Sequence, residues 1–473
     1  MGYTSIGLFI WFESIFYYLY GVTFNPSCIY ILVETNLNEA SEFISAYLNI
    51  NIISFSIIIF AIILISYFEI KKWFNDYIFL PDSTKIFRYG SIFSILLASI
   101  IFLKITKLIT YNVPYLFIKT TVQYHQETKK FDRFRLNTKN HSFYNINRNE
   151  IATEETYVFI IGESTTKNKM GLYGYGRNTT PKLDEIIEEL FVFENVISPH
   201  TYTIKSLTKV LTLSNYENPS KLNDLSIIQL MKASGFKTYW LSNQRPVGLH
   251  ETRLTKIARG ADVQTFINIA NYNQKTSYDY QLIKPLKKAI NDSVSKKAIF
   301  VHLLGTHIDY NKRYPKEFNH FIPSKIHDEK EQIISQYDNA IRYNDFVVRQ
   351  IIEEVKASNT TSYVLYFADH GEEVYENDDS FGHFEGSATK SMYEIPFILW
   401  VSPKYRSLRK PKFNLRNKFM TDELIQAVSD LSEIKFDGFD KNRSIFNEEF
   451  SERPRIIQEN KNFDEIYKKT SEK

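Results

Sequence analysis

Three long apolar runs, all before residue 110, constrain this chain more than any other feature. Positions 6–23, 52–68 and 89–105 are built mainly of Ile, Phe, Leu, Tyr and Ala. Glu13 is the single charge in the first run, the second has none, and Lys104 interrupts the third near its end. Each run approaches the roughly 17–25 residues that cross a hydrocarbon core of about 30 Å. Three in succession are read as membrane spans rather than as a buried soluble core. No basic segment or small-residue cleavage site frames the first run, which argues against a cleaved signal peptide.

Loop charges orient the spans. Lys71, Lys72, Lys85 and Arg88 lie between the second and third, whereas 21–51 contains no Lys or Arg. Positive charge is retained on the cytoplasmic side. The first loop and everything after the third span then face outward, which in a Gram-negative cell means the periplasm. The net charge of +3 gives no bulk electrostatic case for nucleic acid. Cys28 is the one cysteine, so neither an intramolecular disulfide nor a multi-cysteine zinc site can form; its apolar setting suits an inert buried thiol.

At 473 residues the chain exceeds one ordinary domain. We divide it into a membrane anchor (1–110), a linker or interfacial helix (111–150) and a catalytic domain (151–473). Lys129, Lys130, Arg133, Arg135 and Lys139 alternate with aromatic residues in the middle segment. They fit an amphipathic stretch on anionic headgroups or a solvated linker equally well. Beyond it, apolar runs at 157–161, 191–196, 237–241, 298–304, 363–367 and 395–401 alternate with helical patterns such as 181–190 and 332–356. This order predicts an α/β domain with a mainly parallel central sheet covered by helices.

Two of these strands end in clustered metal-type ligands. One runs into Gly162-Glu163-Ser164-Thr165-Thr166, the other into Asp369-His370-Gly371-Glu372. Ligands collect at the carboxyl edge of parallel strands, and carboxylate with imidazole suits a zinc-type ion. Glu163, Asp369 and His370 leave a coordination position open. Thr203, at the head of a helix-like run, offers a hydroxyl where helix N–H groups favour a phosphate; a mere capping role for Thr203 or Thr201 is the competing reading. His302, His307 and His383 follow predicted strand ends and are candidates for substrate or a second metal. His200, His250, His320 and His327 lack such placement and read as ordinary.

The chain resembles the membrane-anchored phosphoethanolamine transferases of the alkaline phosphatase/sulfatase superfamily, which modify lipid A, lipopolysaccharide core sugars or other surface glycans. The resembling stretches are Gly162 to Met170 continuing through Leu172 to Pro181, then Thr203-Ile204-Lys205-Ser206-Leu207, His302 to His307 followed by Tyr310 to Pro315, and Asp369 to Glu372. The loop Glu34 to Ala40 joins them. The resemblance implies that Glu163, Asp369 and His370 bind Zn2+ and that Thr203 is a zinc-bound nucleophile. It assigns His302, His307 and His383 to the phosphoethanolamine group or a second zinc. It further implies phosphatidylethanolamine as donor, a covalent phospho-threonine intermediate, a lipopolysaccharide or glycan acceptor, and a monomer anchored in the inner membrane by several spans.

Two features depart from the family pattern. Its members carry five spans where this chain shows three, and several brace the soluble domain with disulfides. A glycerophosphate transferase of the lipoteichoic-acid type shares the fold and the threonine and is the nearest alternative. A sulfatase or phosphodiesterase-like hydrolase is the next; a sulfatase would need Cys or Ser where Thr203 stands.

Overall fold

The computed structural model describes residues 50–78 and 143–468, apart from 220–224, 245–252, 268–276, 324–327 and 459, with isolated positions between 11 and 101. The chain divides into two compact units, Met1–Lys130 and Phe131–Lys473. In the first, helix α1 (Ile50–Ile78) contains the second apolar run. Within it, Ile52–Glu69 is the one helical stretch among the described residues long and apolar enough to cross a membrane. Its Ile57, Leu64, Ile65 and Phe68 are exposed, which favours an apolar surrounding. Most of the first and third runs, Cys28, the 34–40 loop and positions 111–142 lie outside the described residues.

The second unit is built on β1 (Glu155–Gly162), β2 (Leu190–Val192), β3 (Asn195–Ile197), β4 (Lys237–Ser242), β5 (Val263–Phe266), β6 (Lys296–His302), β7 (Thr361–Ala368), β8 (Phe397–Val401) and β9 (Lys418–Met420). Seven of them form one sheet in the order β2-β8-β7-β1-β6-β4-β5. From β7 to β5 all pairings are parallel; β8 runs antiparallel to β7, and β2 antiparallel to β8. Every residue of β1 and β7 is buried, as expected where helices cover both faces of a parallel sheet. Strand alternation sends Phe159, Phe300 and Trp240 into one core and Val158, Ile160 and Val301 into the other.

Helices α2 (Thr203–Val210), α3 (Ile227–Ala233), α4 (Glu329–Ala357) and α5 (Leu424–Leu431) supply the covering layers. Leu207, Leu230, Ile425 and Val428 pack on the first face, and Ile341, Val348, Ile352 and Val355 on the second. The mainly parallel α/β expectation therefore holds for this unit, with local differences. The single strand expected at 191–196 is two. Phe193 turns into the core, and the chain leaves the main sheet so that β3 pairs with β9 instead. The helix expected at 181–190 is one turn, Pro181–Asp184, followed by the 3-10 turn Ile187–Glu189. Asp345 of α4 accepts the Lys182 and Leu183 N–H groups at 2.8 and 2.9 Å, which secures that short turn. α4 begins earlier than its apolar period because Asp328 caps it, accepting from Glu331 N–H at 3.1 Å.

Aromatic rings from three adjacent strands hold the sheet centre together. Phe159 stacks on Phe300 with centroids 4.7 Å apart, and Trp240 stacks beyond it at 6.1 Å. Phe300→Ala removes the middle ring and is expected to cost about 3–5 kcal/mol, read as a lowered urea midpoint in tryptophan fluorescence. Ile322→Ala, at an exposed position, is expected to change stability by no more than about 0.5 kcal/mol.

Candidate metal centre

Strand register brings the predicted ligands to one edge. Ile161 pairs with His302 across β1 and β6, and Gly162 with Ala368 across β1 and β7. Glu163 and Asp369 are therefore the first residues beyond two neighbouring strands, with His302 the last residue of a third. Backbone contacts lock the turns that follow. Ser164 adopts φ +53°, and its N–H donates to Asp369 Oδ1 at 3.1 Å. His370 N–H donates to the same oxygen at 2.7 Å. The Ser206 hydroxyl in the first turn of α2 donates to the Asp369 carbonyl at 2.5 Å, fixing the helix that carries Thr203.

Glu163, Asp369 and His370 offer ligand atoms all within 4.8 Å of one another, and all three are buried. His370 Nδ1 lies 2.8 Å from the Gly371 carbonyl, which only accepts, so Nδ1 carries the proton. Its Nε2 lone pair then faces Glu163 Oε1 at 3.3 Å and Asp369 Oδ2 at 3.5 Å. Nε2 and Asp369 Oδ2 are both buried without a hydrogen-bond partner. Three electron-pair donors pointed at one another require a cation among them, so this donor set fits a zinc-type ion.

The charges express the same need. Burial pushes the Glu163 carboxyl up, but His370, and then His307 and His302, outweigh burial and hold it well below the usual carboxylate range. Asp369 is pushed well above that range by burial and by the neighbouring Glu163 charge. Burial lowers the His370 imidazole, and the Glu163 contact overrides this and leaves it raised. His302 goes the other way: burial brings it down to about 4, so it is neutral near pH 7.

Thr203 is the first residue of α2 rather than its cap. The capping position belongs to Tyr202, whose side chain makes no capping bond. The Thr203 hydroxyl instead donates to Glu163, 3.1 Å from Oε1 and 3.2 Å from Oε2. That removes the capping alternative and sets the hydroxyl beside the ligand cluster. The His383 ring lies 4.3 Å from the His370 ring, tilted by 54°, and 6.4 Å from that of His307. With His370 and Glu372 it forms a second group of potential ligands.

Sequence reasoning gave no role to several residues that shape this centre. Glu372 accepts from His383 Nδ1 and from the Tyr310 hydroxyl, both at 2.6 Å, and so fixes the His383 ring. Gln244 Nε2 donates to Leu303 O at 3.1 Å and reaches Glu163 Oε2 at 3.4 Å. His200, read as ordinary, is buried and bonded through Nδ1 to Glu385 at 2.5 Å, joining the turn before Thr203 to the segment after His383. His320 is exposed, and His250 and His327 lie outside the described residues. Glu372 was visible within the Asp369-His370 motif; the others had no local signal, because their partners are distant in the chain.

Gly371 explains itself by space. An added Cβ would lie 2.0 Å from the Ser391 carbonyl oxygen and 2.9 Å from that of Glu394. Gly371→Ala must displace either that segment or His370. It is expected to cost about 1–3 kcal/mol by overpacking and to weaken metal uptake roughly 10–100-fold. Thermal unfolding and zinc titration with a competing chelator measure the two effects.

The "Sulfatase" family model matches residues 155–433. Phosphoethanolamine transferase EptC of Escherichia coli (strain K12) is 34% identical over 492 residues, covering 96% of this chain and 83% of that protein. The crystal structure of the C-terminal periplasmic domain of EptC from Escherichia coli, in complex with Zn, superposes with a TM-score of 0.65 at 37% identity, over 68% of this chain and 96% of that one. The integral membrane lipooligosaccharide phosphoethanolamine transferase EptA from Neisseria meningitidis gives a TM-score of 0.68 over 94% of this chain and 86% of that one; at 18% identity the likeness speaks for the fold alone. The chain belongs to the sulfatase family and, within it, to the phosphoethanolamine transferases.

Proposed function

We propose that this protein transfers phosphoethanolamine from phosphatidylethanolamine to a lipopolysaccharide core sugar, lipid A or another surface glycan, through a covalent intermediate on Thr203. The observation that carries the proposal is the Thr203 hydroxyl 3.1 Å from Glu163 Oε1, within a buried carboxylate–imidazole cluster suited to zinc. The zinc complex of the EptC domain, similar over two thirds of this chain, supports the choice of ion.

In this reading Glu163, Asp369, His370 and Thr203 hold the zinc. When bound, zinc supplies Lewis acidity, lowering the pKa of the hydroxyl and neutralising charge on phosphoryl oxygens. Glu163 orients the Thr203 oxygen, which attacks phosphorus as the bond to the diacylglycerol oxygen breaks. His302, which burial leaves neutral, and His307 offer ring donors to the phosphoryl oxygens. His383, held through Nδ1 by Glu372, presents Nε2 to the reacting group. Nε2 takes the Thr203 hydroxyl proton and passes it to the departing diacylglycerol oxygen, then takes the proton of the acceptor hydroxyl as that oxygen attacks phosphorus and returns it to the released Thr203 oxygen. The proposed donor is a membrane lipid, and a lipid A or lipopolysaccharide acceptor is another. The apolar α1 and the two further apolar runs are consistent with a multi-pass inner-membrane anchor carrying a periplasmic catalytic domain, of which 1–110, 111–150 and 151–473 are the anchor, linker and catalytic segments.

Thr203→Ala is expected to abolish transfer, by at least about 1000-fold given the weight of a covalent nucleophile. Glycolipid mass spectrometry of cells with and without the gene should show a phosphoethanolamine increment that needs Thr203. A glycerophosphate increment, or none, would sink the proposal. Dialysis against a chelator is expected to remove activity and added Zn2+ to restore it, whereas chelator-resistant transfer contradicts the assigned centre.

A further inference from the structure

β6 ends at His302, and the chain turns through 303–306 to His307. Two peptide groups of this turn point away from the metal centre into one carboxylate. Leu304 N–H donates to Asp279 Oδ1 at 2.8 Å and Gly305 N–H to Asp279 Oδ2 at 2.9 Å. A third donor, the Asn243 side-chain amide, reaches Oδ1 at 2.7 Å. Asn243 follows directly after β4, and its backbone N–H donates to the His302 carbonyl at 3.0 Å. Asp279 opens the 3-10 turn Asp279–Leu282 and is only 4% exposed. One buried carboxylate thus ties the turn after His302 to Asn243, whose own N–H holds the His302 carbonyl.

The opposite side of the turn is pressed on Glu163. Gly305 has φ +56°, and an added Cβ would lie 2.7 Å from both Glu163 N and Glu163 O. Thr306 N–H donates to Glu163 O at 3.0 Å, and the Thr306 hydroxyl donates to Ser164 O at 2.8 Å. The turn is therefore clamped between the metal-ligand strand end in front and Asp279 behind. Burying a carboxylate is costly unless its bonds are needed, and burial does push Asp279 up despite three donors. Turn N–H groups at a surface could bond water instead. Here both are held by the buried Asp279 carboxyl.

We propose that Asp279 is a positioning residue for the phosphoryl-transfer step, holding the 303–307 turn so that His302 and His307 meet the phosphoryl group bound beside Glu163 and Thr203. It touches neither substrate nor metal. The inference rests on the transferase reading above.

The test compares the full chain with Asp279→Asn and Asn243→Ala in detergent micelles, using phosphatidylethanolamine as donor. An asparagine amide would place N–H groups against N–H donors, whereas Asn243→Ala removes one arm and leaves both turn amides held. Expected is a kcat per bound zinc lowered roughly 10–100-fold in Asp279→Asn and by a smaller factor, about threefold or more, in Asn243→Ala. The visible spectrum of the cobalt-loaded protein, which reports on Glu163, Asp369 and His370, should be unchanged in both. A merely structural Asp279 would lower zinc content and alter the cobalt spectrum, leaving kcat per bound zinc at the wild-type value. That result overturns the proposal. Should Asp279→Asn not fold, a wild-type kcat per zinc in Asn243→Ala overturns it equally. Absence of a phosphoethanolamine adduct on Thr203 in the unmodified chain would instead refute the transferase reading itself.

Discussion

The hydrogen-bond register of three parallel strands is the constraint on which the functional centre depends. β1 lies between β6 and β7, and its ladder places Gly162 level with Ala368 and Ile161 level with His302. Side chains alternate faces along a strand, so a one-residue slip would send each ligand to the wrong side. Register is defended by the two buried faces. Phe159 and Phe300 must meet in one core while Val158 and Ile299 meet in the other. Hydrophobic packing a few residues back along each strand thereby fixes the distance between the carboxylates of the metal site.

That precision creates an electrostatic problem which the ion resolves. Glu163 and Asp369 are buried side by side, and the one raised carboxyl and one lowered carboxyl are the response of a pair that cannot share two negative charges unaided. His370, held raised by the Glu163 contact, supplies positive charge beside the pair, and Glu372 with Tyr310 fixes the next imidazole out. The outer hydrogen bonds orient the inner ligands in the way metal sites generally require.

Much of this was legible in the sequence because chemistry and periodicity coincided. Glu163, Asp369 and His370 each follow a buried apolar run that can only be a strand end, and Thr203 opens an apolar helix. The residues that escaped notice are those whose partners lie far away in the chain. His200 and Glu385 are 185 positions apart, and Asn243 and Asp279 are 36 apart; neither pair leaves a local pattern. β5 was missed because Val263–Phe266 is short and only half-buried, too weak a signal against its polar Gln264. The split at 191–196 arose from pairing with β9, a partner over two hundred residues away.

The separation of Glu163 from Asp369 along the chain has a consequence for how the protein is assembled. The Ser164–Asp369 bond spans 205 positions, with β4, β6, α4 and β7 in between. No contiguous fragment shorter than this span contains the full set of ligands, and nascent chain still lacking β7 has no site at all. Metal capture therefore reports that β1, β6 and β7 have come together, and a single cut between the two turns would leave each half with an isolated buried carboxylate that favours unfolding over retention.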